Sequence, residues 1–256
     1  MFIDTHTHLY SDNFDVDRDD MIQRAVKVGV ERLLMPNIDS KSISGLYKLE
    51  QQYPDHCIPM MGLHPCSVQD NWEDELELIR QELFSRKFIA VGEIGIDLYW
   101  DKTFLKEQKK VFALQIEWAK MLNIPIVIHA RSSFNEIFDV LDECNNDSLS
   151  GVFHCFTGNV EELNKIRSYG SFYIGLGGVL TFKNSGLDSV LKEMKPTELL
   201  LETDSPYLAP VPHRGKRNES SYVPIIADKV SDILEIPISE VEKITTENAK
   251  KCFNLD

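Results

Sequence analysis

Short apolar runs alternate along the chain with longer stretches in which apolar residues recur every three or four positions. Runs of the first kind predict strands, and those of the second predict amphipathic helices. The strand-like runs are FIDTHTHL from Phe2, RLLMPNI from Arg32, CIPMMGLHP from Cys57, FIAVGEIGID from Phe88, IPIVIHAR from Ile124, GVFHCFTG from Gly151, SFYIGLGG from Ser171 and LLLETDSP from Leu199. Helical periodicity runs through Asp17–Val28, Asp74–Ser85, Phe104–Leu122 and Phe134–Asn145, and after the last strand through Val223–Leu234 and Ser239–Cys252. Such alternation predicts parallel strands joined by crossover helices. The expected fold is α/β, a TIM-like (β/α)8 barrel with an additional C-terminal helix. A doubly wound open sheet is the alternative. The 256 residues suit one barrel domain spanning 1–256, since about 250 residues is ordinary for this fold. No linker divides the chain. The GLGG stretch, Gly175–Gly178, reads as a turn, and Ala209–Ser221 reads as an irregular loop.

Most strand-like runs begin apolar and finish in His, Glu or Asp. In a barrel the carboxyl ends of the strands form the active face, and a buried charge there is costly unless paired or bound to metal. The alternation of side chains along a strand puts His6 and His8 on one face, where they can clamp a metal between two imidazoles or hydrogen-bond to neighbours at the strand end. Glu93 follows the apolar FIAVG. Its carboxylate can bridge two cations, or cap a helix or pair with a base. His129 and His154 each end an apolar run on separate strands; either alone reads as a satisfied core residue, but together with His6 and His8 they point to metal. Asp204 shares a face with Glu202 by the same alternation. It is placed to bind metal and to take a proton from an attacking water, or to cap the following turn. Glu202 can orient a ligand from behind. The donors are nitrogen and oxygen only, which suits Zn²⁺, Mn²⁺, Fe, Co²⁺ or Mg²⁺.

Charge and composition narrow this picture. A net charge of −14 argues against broad electrostatic wrapping of duplex nucleic acid, although bound cations can supply positive charge locally. The cysteines are scattered without a CxxC pair, which argues against a zinc ribbon or redox motif and predicts reduced thiols. No leader pattern and no membrane-length apolar run stand in the sequence, so the expectation is a cytoplasmic, membrane-free monomer.

Taken in order and spacing, HTHL, GLHP, GEIGID, IHAR, HCFTG, GLGG and LLETDSPYLAP resemble the TatD family of metal-dependent deoxyribonucleases, within the amidohydrolase-like β/α barrels. The resemblance runs from about Asp4 to the final helix. It implies two divalent metal ions (Mg, Mn or Zn), with His6, His8 and Asp204 on one, His129 and His154 on the other, and Glu93 between them. It implies hydrolysis of phosphodiester bonds in DNA, as a 3'-5' exonuclease on single strands, by a water activated between the metals with Asp204 taking its proton. Glu93 and Asp204 are then the catalytic carboxylates. Arg131 would bind a substrate phosphate and His64 the substrate or leaving group, each with a structural hydrogen bond as an equal reading. Asp97, Tyr99 and Trp100 fall in the loop after Glu93. An aromatic there could stack a base, while Trp100 reads as loop packing. The family's RNEP-like stretch is RNESS here, Arg217–Ser221, which touches no expected ligand. Glu93 also stands where many amidohydrolase barrels carry a modified Lys. Two rivals stay open: a hydrolase of small esters, amides or aminoacyl-tRNA, and a non-catalytic metal or nucleic-acid binding protein.

Overall fold

The structure is a computed structural model and describes residues 1–256. Strands and helices alternate in the order β1 (Phe2–Asp4), α1 (Arg18–Lys27), β2 (Val30–Met35), α2 (Ile43–Gln52), β3 (Cys57–Pro59), α3 (Trp72–Ser85), β4 (Val91–Asp97), α4 (Leu105–Leu122) and β5 (Ile126–Arg131). They continue through α5 (Phe134–Cys144), β6 (Ser150–Phe153), α6 (Val160–Ser168), β7 (Ser171–Leu176), α7 (Leu187–Glu193), β8 (Leu199–Leu201), α8 (Val223–Leu234) and α9 (Ile238–Phe253). Every ladder is parallel, in the orders β1-β2-β3 and β4-β5-β6-β7-β8.

Two seams close these ladders into a barrel. Thr7 bridges Ser205, and Met61 bridges Val91. Backbone bonds reinforce both: Asp204 N donates to His6 O at 2.9 Å, and Gly92 N donates to Met61 O at 3.1 Å. An open sheet would leave two unpaired edges, so the doubly wound alternative is excluded.

The barrel interior is filled from below. Ile3, Leu34, Met60, Val127, Val152 and Leu200 form one buried cluster with Ala249, Cys252 and Phe253 of α9. The additional C-terminal helix therefore plugs the amino-terminal end of the barrel. A larger cluster fills the layer between strands and helices, where the apolar stripes of α1, α3 and α4 are buried. The polar end of the barrel is the opposite one.

The strands are shorter than their apolar runs, and the reason lies at their ends. Thr203 N donates to the Asp4 carboxylate at 2.9 Å instead of continuing a ladder, and Thr203 Oγ1 donates to the same carboxylate at 2.6 Å. His6, His8, His64, His154, Glu202 and Asp204 lie beyond strands, not within them. The GLGG stretch also differs from expectation, because Gly175 belongs to β7. At Gly95, with φ near +139°, an added Cβ would lie 2.1 Å from His129 O. Only glycine allows β4 and β5 to pair this closely.

Candidate metal centre

Five of the chain's seven histidines surround one carboxylate. Glu93 is buried in β4. Its Oε2 lies 3.1 Å from His6 Nε2 and 3.5 Å from His8 Nε2. Its Oε1 lies 2.7 Å from His129 Nδ1, 2.8 Å from His154 Nε2 and 3.5 Å from His64 Nε2. Asp204 Oδ1 approaches from the exit of β8, 3.6 Å from His8 Nε2 and 3.8 Å from His6 Nε2. The residues expected at the site from the sequence thus converge, with the exception of Arg131.

Strand alternation is not what brings His6 and His8 together, since β1 ends at Asp4. The bridged segment beyond it keeps their rings on one side, with Nε2 atoms 3.2 Å apart. Nor do Glu202 and Asp204 share a face. Asp204 sits in the left-handed region at φ 57° and turns towards His6 and His8. Glu202 instead accepts from Cys155 N and lies 3.3 Å from His154 Nδ1. Backbone strain of this kind at Asp204, on the order of 1–3 kcal/mol, is characteristic of functional sites.

Hydrogen-bond partners fix which nitrogen each ring presents. Tyr10 Oη donates to Pro36 O at 2.5 Å, so it accepts from His8 Nδ1 at 2.8 Å. In the unprotonated ring that metal ligation requires, the lone pair of His8 Nε2 then faces Glu93 and Asp204. His129 Nε2 donates to Asp97 Oδ2 at 2.8 Å, which turns Nδ1 inward, with its lone pair free when the ring is unprotonated. His64 is different. Its Nδ1 accepts from Cys66 N at 3.0 Å, so its Nε2 carries the proton and faces the site as a donor.

Charge balance follows the same geometry. Burial pushes the Glu93 carboxyl upward, but the surrounding imidazoles, His154 and His64 foremost, hold it well below the usual range. Burial also opposes ionisation of Asp204, and its contacts to His8, His154 and His6 depress it. Burial lowers His8, yet Asp204 and Glu93 outweigh this and raise it to about 10. His129 and His154 are raised against burial by Asp97 and Glu93, and by Glu93 and Glu202, respectively. His6 and His64 are lowered, chiefly by burial. Asp97 is opposed by burial and held down to about 2 by His129.

This donor set fits divalent metal. His6 Nδ1, His154 Nδ1 and Glu202 Oε2 are buried without a hydrogen-bond partner. The His6 and His154 rings stack 3.8 Å apart at 9°, a face-to-face approach that neutral rings tolerate and two imidazolium ions would resist. Three overlapping groups, His6–His8–Glu93, His6–His154–Glu202 and His64–Glu93–His129, each gather donor atoms within 4.8 Å of one another. Carboxylates are acceptors and cannot satisfy the lone pairs of unprotonated ring nitrogens, whereas cations can.

The TatD related DNase family profile matches residues 3–254. The chain belongs to this family. It is 38% identical over 257 residues to the uncharacterized metal-dependent hydrolase YabD of Bacillus subtilis, covering 100% of each chain. It is 30% identical to the 3'-5' ssDNA/RNA exonuclease TatD of Pectobacterium parmentieri, covering 98% of this chain and 99% of that one. Its fold matches the crystal structure of the TatD homolog YJJV from Escherichia coli with a TM-score of 0.92 at 27% identity, covering 100% of this chain and 98% of the other.

Within this TatD-family chain, Arg131 stands apart from the buried cluster. It ends β5 exposed, with its guanidinium 3.8 Å from the Tyr99 ring centre and 5.4 Å from that of Trp100. Trp100 is 72% exposed, and its ring meets that of Tyr99 edge-on at 4.8 Å. Exposure of Tyr99 and Trp100 leaves an aromatic and a cation together at the rim of the site.

Three supporting roles were not anticipated from the sequence. Tyr10 sets the tautomer of His8. Asp4 clamps the exits of β1 and β8. Asp97 orients His129. It closes β4 itself rather than lying in the loop beyond, four residues after Glu93 on the same strand, a spacing that the sequence did carry. No helix is long and apolar enough to cross a membrane.

Proposed function

We propose that this chain is a two-metal hydrolase that removes nucleotides from single-stranded DNA in the 3'-5' direction. The observation that carries the reading is the arrangement of five imidazoles and Asp204 around the buried Glu93. His6, His8 and Asp204 would hold one ion, His129 and His154 the other, and Glu93 would lie between them. Metal bound there would supply charge for the phosphoryl oxygens and lower the pKa of water.

The chain's own groups would do the rest. Asp204, the most solvent-reachable carboxylate of the cluster at 14% side-chain exposure, takes the water's proton at Oδ1. His64 donates from Nε2 to a substrate oxygen. Arg131 meets a phosphate at the rim. Asp97 and Tyr10 hold His129 and His8 by hydrogen bonds, and Glu202 stands 3.3 Å behind His154. Relatives named as an ssDNA/RNA exonuclease and as a metal-dependent hydrolase support the substrate class and the metal requirement.

A panel of single-stranded DNA, a bis-nitrophenyl phosphodiester and an aminoacyl ester tests the reading, each assayed with Mg²⁺, Mn²⁺ or Zn²⁺. Metal-dependent turnover of the first two is expected. Turnover of the aminoacyl ester alone would refute the phosphodiesterase assignment.

A further inference from the structure

The loops after β7 and β8 stand at the same end of the barrel as Glu93 and Asp204, and their charge differs from that of the rest of the molecule. The chain carries a net charge of −14, yet no Asp or Glu occurs from Ser205 to Asn218 or from Leu163 to Leu187. Lys183, Arg214 and Lys216 are exposed on these loops. Arg217 is paired with Asp17 at 2.6 Å, whereas the other three cations have no carboxylate partner.

The two loops form one unit. Val211 N donates to Thr181 Oγ1 at 2.9 Å, and the Arg214 guanidinium lies 4.4 Å from the Phe182 ring centre. His213 stacks on Tyr222 at 4.2 Å and 6°. The β8 loop is also tied to the metal centre. Asn218 Nδ2 donates to Thr203 O at 2.7 Å and Tyr207 O at 2.6 Å, and the Tyr207 ring lies 6.1 Å from that of His8. The cations are therefore carried on a scaffold fixed to the strand exit that bears Asp204.

A surface that is acidic overall repels a polyanion except where cations are concentrated without acids. We infer that Lys183, Arg214 and Lys216 form a phosphate track that holds the backbone of a single-stranded nucleic acid beyond the bond being cut. The inference rests on the proposed nuclease reading and adds to it the path of the strand. Across the mouth, Tyr99 and Arg131 mark the other bank.

The test compares wild type with the triple variant Lys183→Ala/Arg214→Ala/Lys216→Ala in the metal-loaded protein. The control is Lys243→Ala/Lys250→Ala on α9, at the plugged end. Binding of a labelled phosphorothioate single strand is followed by anisotropy across a salt series. KM and kcat are measured on a long oligonucleotide and on the bis-nitrophenyl phosphodiester. Each phosphate no longer neutralised should flatten the log–log salt slope by about 0.7, so the slope of the triple variant should fall by about 2 and its binding should weaken about tenfold or more. The KM increase should appear on the long strand only, and the α9 control should match wild type. Unchanged binding and salt slope in the triple variant would overturn the track. If wild type turned over neither substrate, the hydrolase reading would fall separately, and anisotropy would still decide the track.

Discussion

Asp97 accepts the Nε2 proton of His129 across 2.8 Å, and this leaves His129 Nδ1 facing Glu93 Oε1 at 2.7 Å. The pair lies on neighbouring strands and sets both the tautomer and the ring angle of a candidate ligand. A carboxylate behind a metal-bound imidazole typically contributes about 10–100-fold in metal affinity or activity. Asp97→Asn should therefore weaken metal binding by about tenfold or more, measured by titration calorimetry, while the circular dichroism spectrum stays native. Wild-type metal affinity in the variant would remove Asp97 from this role.

Metal removal should cost stability as well as activity. The orphaned buried atoms of His6, His154 and Glu202 mark a cluster incompletely satisfied by protein groups alone. A ligand present at about 100 times its Kd stabilises the native state by about 2.7 kcal/mol. For a chain of this size that corresponds to roughly 5–10 °C in Tm. Chelator-treated protein should melt lower by about that much, and Mn²⁺ or Zn²⁺ should restore it. A melting curve indifferent to chelator and metal alike would argue against a native-state site.

Gly175 has no room for a side chain. An added Cβ would lie 2.4 Å from Glu202 Oε2 and 3.0 Å from His154 Cα. Gly175→Ala should push Glu202 off the Cys155 amide and disturb His154 with it. Overpacking of this kind costs about 1–3 kcal/mol, readable in a urea midpoint, and the displaced Glu202 should also weaken metal binding. A variant with wild-type stability and metal affinity would show that Glu202 does not position His154.

Acid should weaken a contact on the rear of the β8 loop. Arg24 bonds both Glu219 and Asp17, and Arg217 bonds Asp17. Asp17 is depressed by Arg217 and Arg24. Burial opposes ionisation of Glu219, and Arg24 and Ser221 outweigh it and depress the carboxyl. A carboxyl with a lowered folded-state pKa stabilises the fold above its unfolded value, near 4, and that contribution fades as pH falls through the folded value. Arg24→Ala should thus lose about 1 kcal/mol at neutral pH, since surface pairs are weak, and the difference from wild type should shrink below about pH 4. Urea midpoints at neutral and acidic pH measure it, and a constant difference would contradict the pairing.

The sequence carried the barrel and most of the site because both depend on pattern. Apolar runs ending in His or an acid mark strand exits, and residues at strand exits of a closed barrel must meet. The helical stretch expected over Val223–Leu234 coincides with α8, and the one expected over Ser239–Cys252 with most of α9. What the pattern did not carry depends on tertiary detail. The turn of Asp204 away from Glu202 comes from a left-handed residue, which alternation cannot anticipate. The partnership of Tyr10 with His8 needs the Pro36 carbonyl from another strand exit. Arg131 was expected at a phosphate, and its placement on Tyr99 at the rim depends on how the β4 loop folds back over β5.

The most direct test of the central claim is cleavage of an end-labelled single-stranded DNA with and without Mg²⁺ or Mn²⁺, beside Glu93→Ala. The account predicts stepwise shortening from the 3' end that requires metal and is absent in the variant. Metal-loaded wild type that leaves the strand intact, or a Glu93→Ala protein that shortens it as fast as wild type, would contradict it.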